Sequence, residues 1–141
     1  MYRVIYKSRM TTQLTRDAVE SIMNESRERN AENNISGVLL ASETHFLQIL
    51  EGPFFPLNET FCRINKDTRH DTMQIISFRE ISKRVFENWG MRGLGVLNLN
   101  IDLAKRLRAK YGEEEGGLRF PHTEWQALAL FFDLNMITRI P

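Results

Sequence analysis

The chain is predicted to be an α+β domain with a helical extension. Three observations predict it. Apolar residues repeat every second position in several short stretches, and every third or fourth position in two stretches lying between them. Those stretches run in the order strand, helix, strand, strand, helix, strand, with one further strand after them. Residues 98–141 then carry helical spacing alone. With 141 residues, 42% of them hydrophobic and 26% charged, the chain has the size of one ordinary domain and can bury a core.

Tyr2 to Ser8 reads as the first strand, with Tyr2, Val4, Tyr6 and Ser8 on one face and Arg3, Ile5 and Lys7 on the other. From Thr15 to Asn33 the period becomes helical. Ala18, Val19, Ile22 and Met23 form a stripe that Ser26 and Asn30 continue. Leucines are expected at that end of a helix packed only on a sheet, so either something polar lies beneath it or the helix frays toward Asn33-Asn34. Ile35 to Ser42 and Phe46 to Gly52 are two strands joined as a hairpin through Glu43-Thr44. Leu57, Phe61, Ile64 and Asn65 mark a second helix ending near Asp67-Thr68-Arg69-His70, where Arg69 and His70 either offset the helix dipole or reach an anionic ligand. Met73 to Phe78 is a fourth strand, and Asn88 to Leu94, loosened by Gly90 and Gly93, a fifth. This order is the split βαβ arrangement of ferredoxin-like folds, a mostly antiparallel sheet with two helices on one face.

The extension should cover the other face. Asn100 or Asp102 can cap a helix running to about Lys110, and Gly112 to Gly117 breaks it. Thr123 with Gln126 makes a capping box for a last helix whose stripe is Trp125, Leu128, Ala129, Phe132 and Met136. Phe131 and Leu134 widen that stripe, leaving apolar surface for a second subunit.

Composition excludes several classes of function. A net charge of +1 argues against a nucleic-acid binder with a broad basic face, and no apolar run approaches the roughly 20 residues of a membrane span. The first residues lack a secretory signal, and the one cysteine, Cys62, allows no intramolecular disulfide, so a soluble cytoplasmic protein is expected. There is no glycine-rich phosphate loop, no histidine pair at metal spacing and no nucleophile motif; His45, His70 and His122 are scattered. Neither an enzyme nor a metal protein is expected.

The oddest residue is Gln48. It sits within Phe46-Leu47-Gln48-Ile49-Leu50 and shares a face with Phe46 and Leu50, so its amide should be buried. Each unpaired donor or acceptor of a buried amide costs roughly 1–3 kcal/mol, so the site must supply polar partners. Tyr6 poses the same question on the first strand.

Five segments taken together answer it. Val4-Ile5-Tyr6-Lys7-Ser8-Arg9, Ser26 to Ala31 leading to Ile35 to Leu40, Phe46 to Pro53, Asp67-Thr68-Arg69-His70 and Asn88-Trp89-Gly90-Met91 resemble the BLUF domain of blue-light photoreceptors, over residues 1–97 and in the same order. The resemblance implies a ferredoxin-like fold that holds an oxidised flavin between its two helices, as FAD or as FMN. It implies Tyr6 as electron donor, Gln48 as the switching amide and Asn30 as a hydrogen-bonding partner of the isoalloxazine edge. Asp67, Arg69, His70 and Ser26 would line the flavin site, and Trp89 and Met91 would pass the signal outward. Ser36 stands where the family usually has threonine, and Arg29 occupies a position that varies. On this reading residues 98–141 are an output segment acting on a homo-oligomer interface or a downstream protein partner, and any enzymatic output lies in another chain. Two other readings remain open: a cofactor-free ferredoxin-like regulatory module, in which Tyr6, Asn30 and Gln48 satisfy one another, and a small flavin enzyme.

Overall fold

The structure, a computed structural model, describes residues 1–12, 14–87 and 100–136, together with the backbone of 92–95. Its main sheet has five strands, β1 (Tyr2–Met10), β2 (Ser36–Ala41), β3 (His45–Gly52), β4 (His70–Glu80) and β5 (Arg92–Gly95), in the spatial order β4-β1-β3-β2-β5. The first four are antiparallel neighbours in the ferredoxin-like order, and β5 adds in parallel beside β2. Helices α1 (Arg16–Glu32) and α2 (Phe54–Asn65) follow β1 and β3. The predicted α+β fold is the one observed.

Local chemistry sets the helix ends. Thr15 caps α1 by accepting the Ala18 N–H at 3.2 Å, and the exit passes through Asn34 in the left-handed region at φ 56°. Gly37 has no alternative: a Cβ there would lie 2.2 Å from the Ile49 carbonyl oxygen of the neighbouring strand.

Alternation along the strands divides the core into two layers. Val4, Leu39, Phe46 and Leu50 pack with Val19 and Met23 of α1 and Leu57 of α2. Ile5, Val38, Leu40, Leu47 and Ile49 point the other way and meet the C-terminal cover. That cover consists of α3 (Ile101–Tyr111), a two-stranded ribbon β6 (Glu113–Glu114) and β7 (Gly117–Leu118), and α4 (Glu124–Asp133). It buries Leu107, Leu118, Phe120, Ala127, Leu130 and Phe131 against the sheet.

Charge holds the cover as well. Arg3 and Lys7 are fully buried on the face of Ile5. Arg3 bonds Glu51 and reaches Glu124 at 3.3 Å; Lys7 bonds Glu114 at 2.5 Å and the Phe120 carbonyl at 3.1 Å; Arg9 bonds Glu115 at 2.9 Å. One face of β1 is thus a row of cations paired with acids, three of which belong to the cover.

Several expectations need correction. The first strand runs on to Met10, and β4 begins at His70, because Met10 pairs with His70 and extends the ladder. Asn100 alone caps α3, accepting from Asp102 and Leu103. The Gly112–Gly117 break contains the β6–β7 ribbon. The inward face of α4 is also different. Trp125 and Phe132 are 67% and 41% exposed, whereas Phe131 and Leu134, expected to remain available to a second subunit, are buried. Five consecutive residues, Ala127 to Phe131, are buried, so α4 is embedded on more than one side and a single stripe could not describe it.

Candidate functional site

Two connected hollows open between α1, α2 and the sheet. The inner one, of about 80 Å³, is lined by Tyr6, Ile22, Ser26, Leu39, Phe46, Gln48, Ile64, Asp67, Arg69 and His70. The outer cleft, of about 380 Å³, shares Ser26, Gln48, Ile64, Asp67 and Arg69 with it and adds Glu25, Arg29, Asn30, Thr60 and Arg63. Its size is that of a small-molecule site.

Tyr6 and Gln48 meet because they are direct register partners across β1 and β3. The phenol donates to Gln48 Oε1, both residues being buried. The Phe61 ring lies edge-on to Tyr6 at 5.8 Å and His70 at 6.2 Å. Burial, reinforced by the negative charge of Asp67, pushes the Tyr6 pKa far above its usual value of 10.0, so the phenol keeps its proton. This is a neutral donor whose proton already points at an amide oxygen.

Asn30 is equally buried, and its side-chain amide has no hydrogen-bond partner among the described residues. It opens onto the cleft beside Gln48. An amide presented to a cleft in that way can both donate to and accept from a polar ligand.

Asp67 accepts the Arg69 N–H at 2.9 Å and holds the Arg69 guanidinium through both carboxylate oxygens. Hydrogen bonding by Arg69 holds the Asp67 pKa below the usual carboxylate value despite partial burial, so at neutral pH it is an acceptor at the cavity wall. Arg69 is correspondingly stabilised as a cation by Asp67, with a longer contact to Glu25 at 3.4 Å. His70 is held at both ends, with Nε2 at 2.6 Å from the Ile64 carbonyl oxygen and Nδ1 at 2.6 Å from Ser8 Oγ. A carbonyl can only accept, so Nε2 carries a proton, and in the neutral ring Nδ1 accepts from Ser8. The Ser26 hydroxyl donates back to the Ile22 carbonyl at 2.9 Å, leaving it a wall residue with its donor engaged.

Seven of the nine candidate residues therefore gather at these hollows: Tyr6, Ser26, Asn30, Gln48, Asp67, Arg69 and His70. Trp89 and Met91 lie outside the described residues. Arg69 and His70 are not simply dipole partners of the second helix: α2 is capped at Lys66, and His70 opens β4. The polar end of α1 lines a cavity instead of fraying. Ser8, Thr60 and Arg63 were not foreseen. Ser8 shares the alternating face of Tyr6, the one sequence signal that could have found it.

The donor set fits an oxidised flavin. A planar heterocycle edged with carbonyls and an imide needs amides and an acceptor-only carboxylate against an apolar wall, and the cleft offers Asn30, Gln48 and Asp67 beside Ile22, Leu39 and Phe46.

Comparison with known proteins agrees. The family model described as sensors of blue light using FAD matches residues 1–92. The photoactivated adenylate cyclase subunit beta of Euglena gracilis is 32% identical over 81 residues, which is 57% of this chain and 9% of that protein. Among solved structures, the dark state of BlrB, a BLUF protein, is 33% identical with a TM-score of 0.62, covering 77% of this chain and 76% of that one. The photo-activated state of BlsA is 26% identical with a TM-score of 0.74, covering 99% and 96%.

Proposed function

The chain belongs to the BLUF family, flavin-based sensors of blue light, and from that premise we propose that Tyr6 and Gln48 form its photoactive pair and that its signal leaves through the C-terminal cover. The observation that carries the reading is the buried Tyr6-to-Gln48 hydrogen bond at the wall of a cavity onto which the Asn30 amide also opens.

Asn30, Gln48 and Asp67 would hold the ring, with Arg69 fixing Asp67 and His70 fixing the C-terminal end of α2. When bound, an oxidised flavin, FAD or FMN, supplies blue absorption and on excitation a strong electron acceptor. Tyr6 would be the electron donor to that acceptor, and its proton would follow to the same acceptor along the hydrogen bond to Gln48, since a phenol that has lost an electron is strongly acidic. Both would then return to Tyr6, leaving Gln48 rotated or tautomerised. Its amide can then donate where it previously accepted, which shifts the absorption to the red.

Only interactions that differ between the two states can move an equilibrium. The chain divides on this reading into a sensor at 1–97 and an output segment at 98–141. Trp89 and Met91, on the stretch leading to β5, are one proposed relay. Support for an output through the cover comes from β1 itself, whose Tyr6 faces the cavity while Lys7 holds Glu114. The recipient is a second copy or a separate protein. Support for a partner comes from the relatives, since the chain spans only 9% of the cyclase subunit it matches. No described helix is long and apolar enough to cross a membrane.

The test is an absorption spectrum of the purified protein in darkness, just after blue light, and during dark recovery. A flavin spectrum that shifts slightly to the red and returns is expected. A protein that binds no flavin would overturn the reading, and a flavin that only bleaches would point to redox catalysis.

A further inference from the structure

Among the described residues Glu51 is the only fully buried acid, and the switching pair does not use it. It lies on β3 just beyond Gln48 and on the opposite face, so one strand presents an amide to the cavity and an acid to the side of the cover. Its two oxygens serve different parts of the chain. Oε2 accepts from Arg3, at 3.0 Å from Nε and 2.9 Å from Nη2, while Oε1 accepts the backbone N–H groups of Val85 at 2.9 Å and Phe86 at 2.7 Å. Arg84 pins the same turn, donating to Ser36 Oγ at 2.9 Å and to the Asn34 carbonyl at 2.6 Å. Both parts then reach α4. Arg3 Nη1 meets Glu124, in the first turn of that helix, at 3.3 Å, and the buried Phe86 ring packs edge-on against the buried Phe131 ring at 6.1 Å.

Holding this corner together does not require an acid. A buried ion pair can often be replaced by apolar residues of similar volume without loss of stability, and its better-attested use is to fix one register. A guanidinium and two backbone N–H groups converging on one carboxylate tie the 84–86 turn and the start of α4 to β3 in a single arrangement. On β1, Lys7 and Glu114 tie the ribbon in the same way. Each strand of the Tyr6 and Gln48 pair thus has its own attachment to a different part of the cover. Resting on the switch proposed above, we propose that Glu51 is the positioning residue of the output: it carries a change of β3 at Gln48 to α4, through Arg3 and Glu124 by charge and through Phe86 and Phe131 by packing. Loosening Glu51 uncouples α4 and leaves the red shift intact, because Glu51 does not line either hollow.

The test measures hydrogen exchange of α4, Glu124–Asp133, in the flavin-loaded protein kept dark or held under blue light, with the absorption shift recorded on the same samples. It compares the wild type with Glu51→Gln, Glu124→Gln and Glu114→Gln. In the wild type, light should change exchange in α4. Glu51→Gln should keep the red shift, which also verifies its fold, and lose the light response of α4. Glu124→Gln leaves the buried acid in place and should weaken that response; Glu114→Gln frees only the ribbon and should preserve it. An α4 that exchanges identically in light and darkness while the wild type shifts to the red would overturn the proposal and leave the switch standing. So would an α4 response that survives in Glu51→Gln, or one that Glu114→Gln abolishes equally. Should Glu51→Gln fail to hold flavin, Glu124→Gln decides, and an undiminished α4 response in it would overturn the proposal. A wild type that shows no red shift would overturn the switch on which the proposal rests.

Discussion

Tyr6 and Gln48 are paired twice, once by backbone register across β1 and β3 and again by the hydrogen bond from phenol to amide oxygen. The backbone fixes the distance, so the side chains need no loop to find each other. Tyr6→Phe leaves the Gln48 oxygen without its buried donor and should cost about 1–3 kcal/mol in urea denaturation. It should keep its flavin and lose the red shift. Gln48→Leu should lose the shift as well, and difference spectra of the two variants check this.

Glu51 is fully buried on the opposite face of β3, where it accepts from Arg3 and from the backbone N–H groups of Val85 and Phe86. Glu51→Ala would leave two amides unsatisfied and Arg3 with only its longer contact to Glu124 at 3.3 Å. A loss of about 3–5 kcal/mol is expected in chemical denaturation. The pair Arg3→Met with Glu51→Leu should cost less than Glu51→Ala alone with respect to charge, because no under-compensated cation remains buried.

The orientation of α4 is tested by two aromatic residues. Phe131→Ala should cost about 3–5 kcal/mol, since the ring is fully buried and packs against Phe86 at 6.1 Å. Trp125→Ser should change stability by about 0.5 kcal/mol or less. The reverse result in thermal melts would mean that α4 is turned about its axis.

The cover should loosen in acid, in two steps. Burial lowers the His45 pKa below its usual 6.5, against the pull of Glu114. The unfolded chain therefore takes up a proton that the folded chain refuses, and stability falls as pH drops below about 6.5. Burial resists ionisation of Glu114, but Lys7, His45 and His122 together hold its pKa below 4.5. Its contribution is present above that value and is lost as pH falls through the lower folded value. Melting temperature followed from pH 8 to pH 3 should decline at both stages, and Glu114→Gln should reduce the second, which Asp67 and Asp133 share.

Much of this was legible in the sequence, and the failures share a cause. Gln48 stood out because an amide inside an apolar strand needs partners, and Asn30 because it ended an apolar stripe. Both were read from one face of one element. Lys7 and Glu114 could not be found that way. A lysine alternating with Ile5 looks like a solvated face, and a run of three glutamates between glycines looks like a loop. Only the cover, arriving 107 residues later, makes Lys7 a buried cation. The α4 face was misjudged for a related reason, since a helix buried on several sides has no single period to detect.

The cation row on β1 decides what kind of movement the cover can make. Arg3, Lys7 and Arg9 meet Glu124, Glu114 and Glu115 at three fixed points, so sliding the cover along the strand by one residue would mismatch every pair at once. Gradual slippage is therefore closed off. A cover pinned in this way is seated as a unit, and if the proposed output runs through it, the signal would be the fraction of molecules in which all three pairs have let go together.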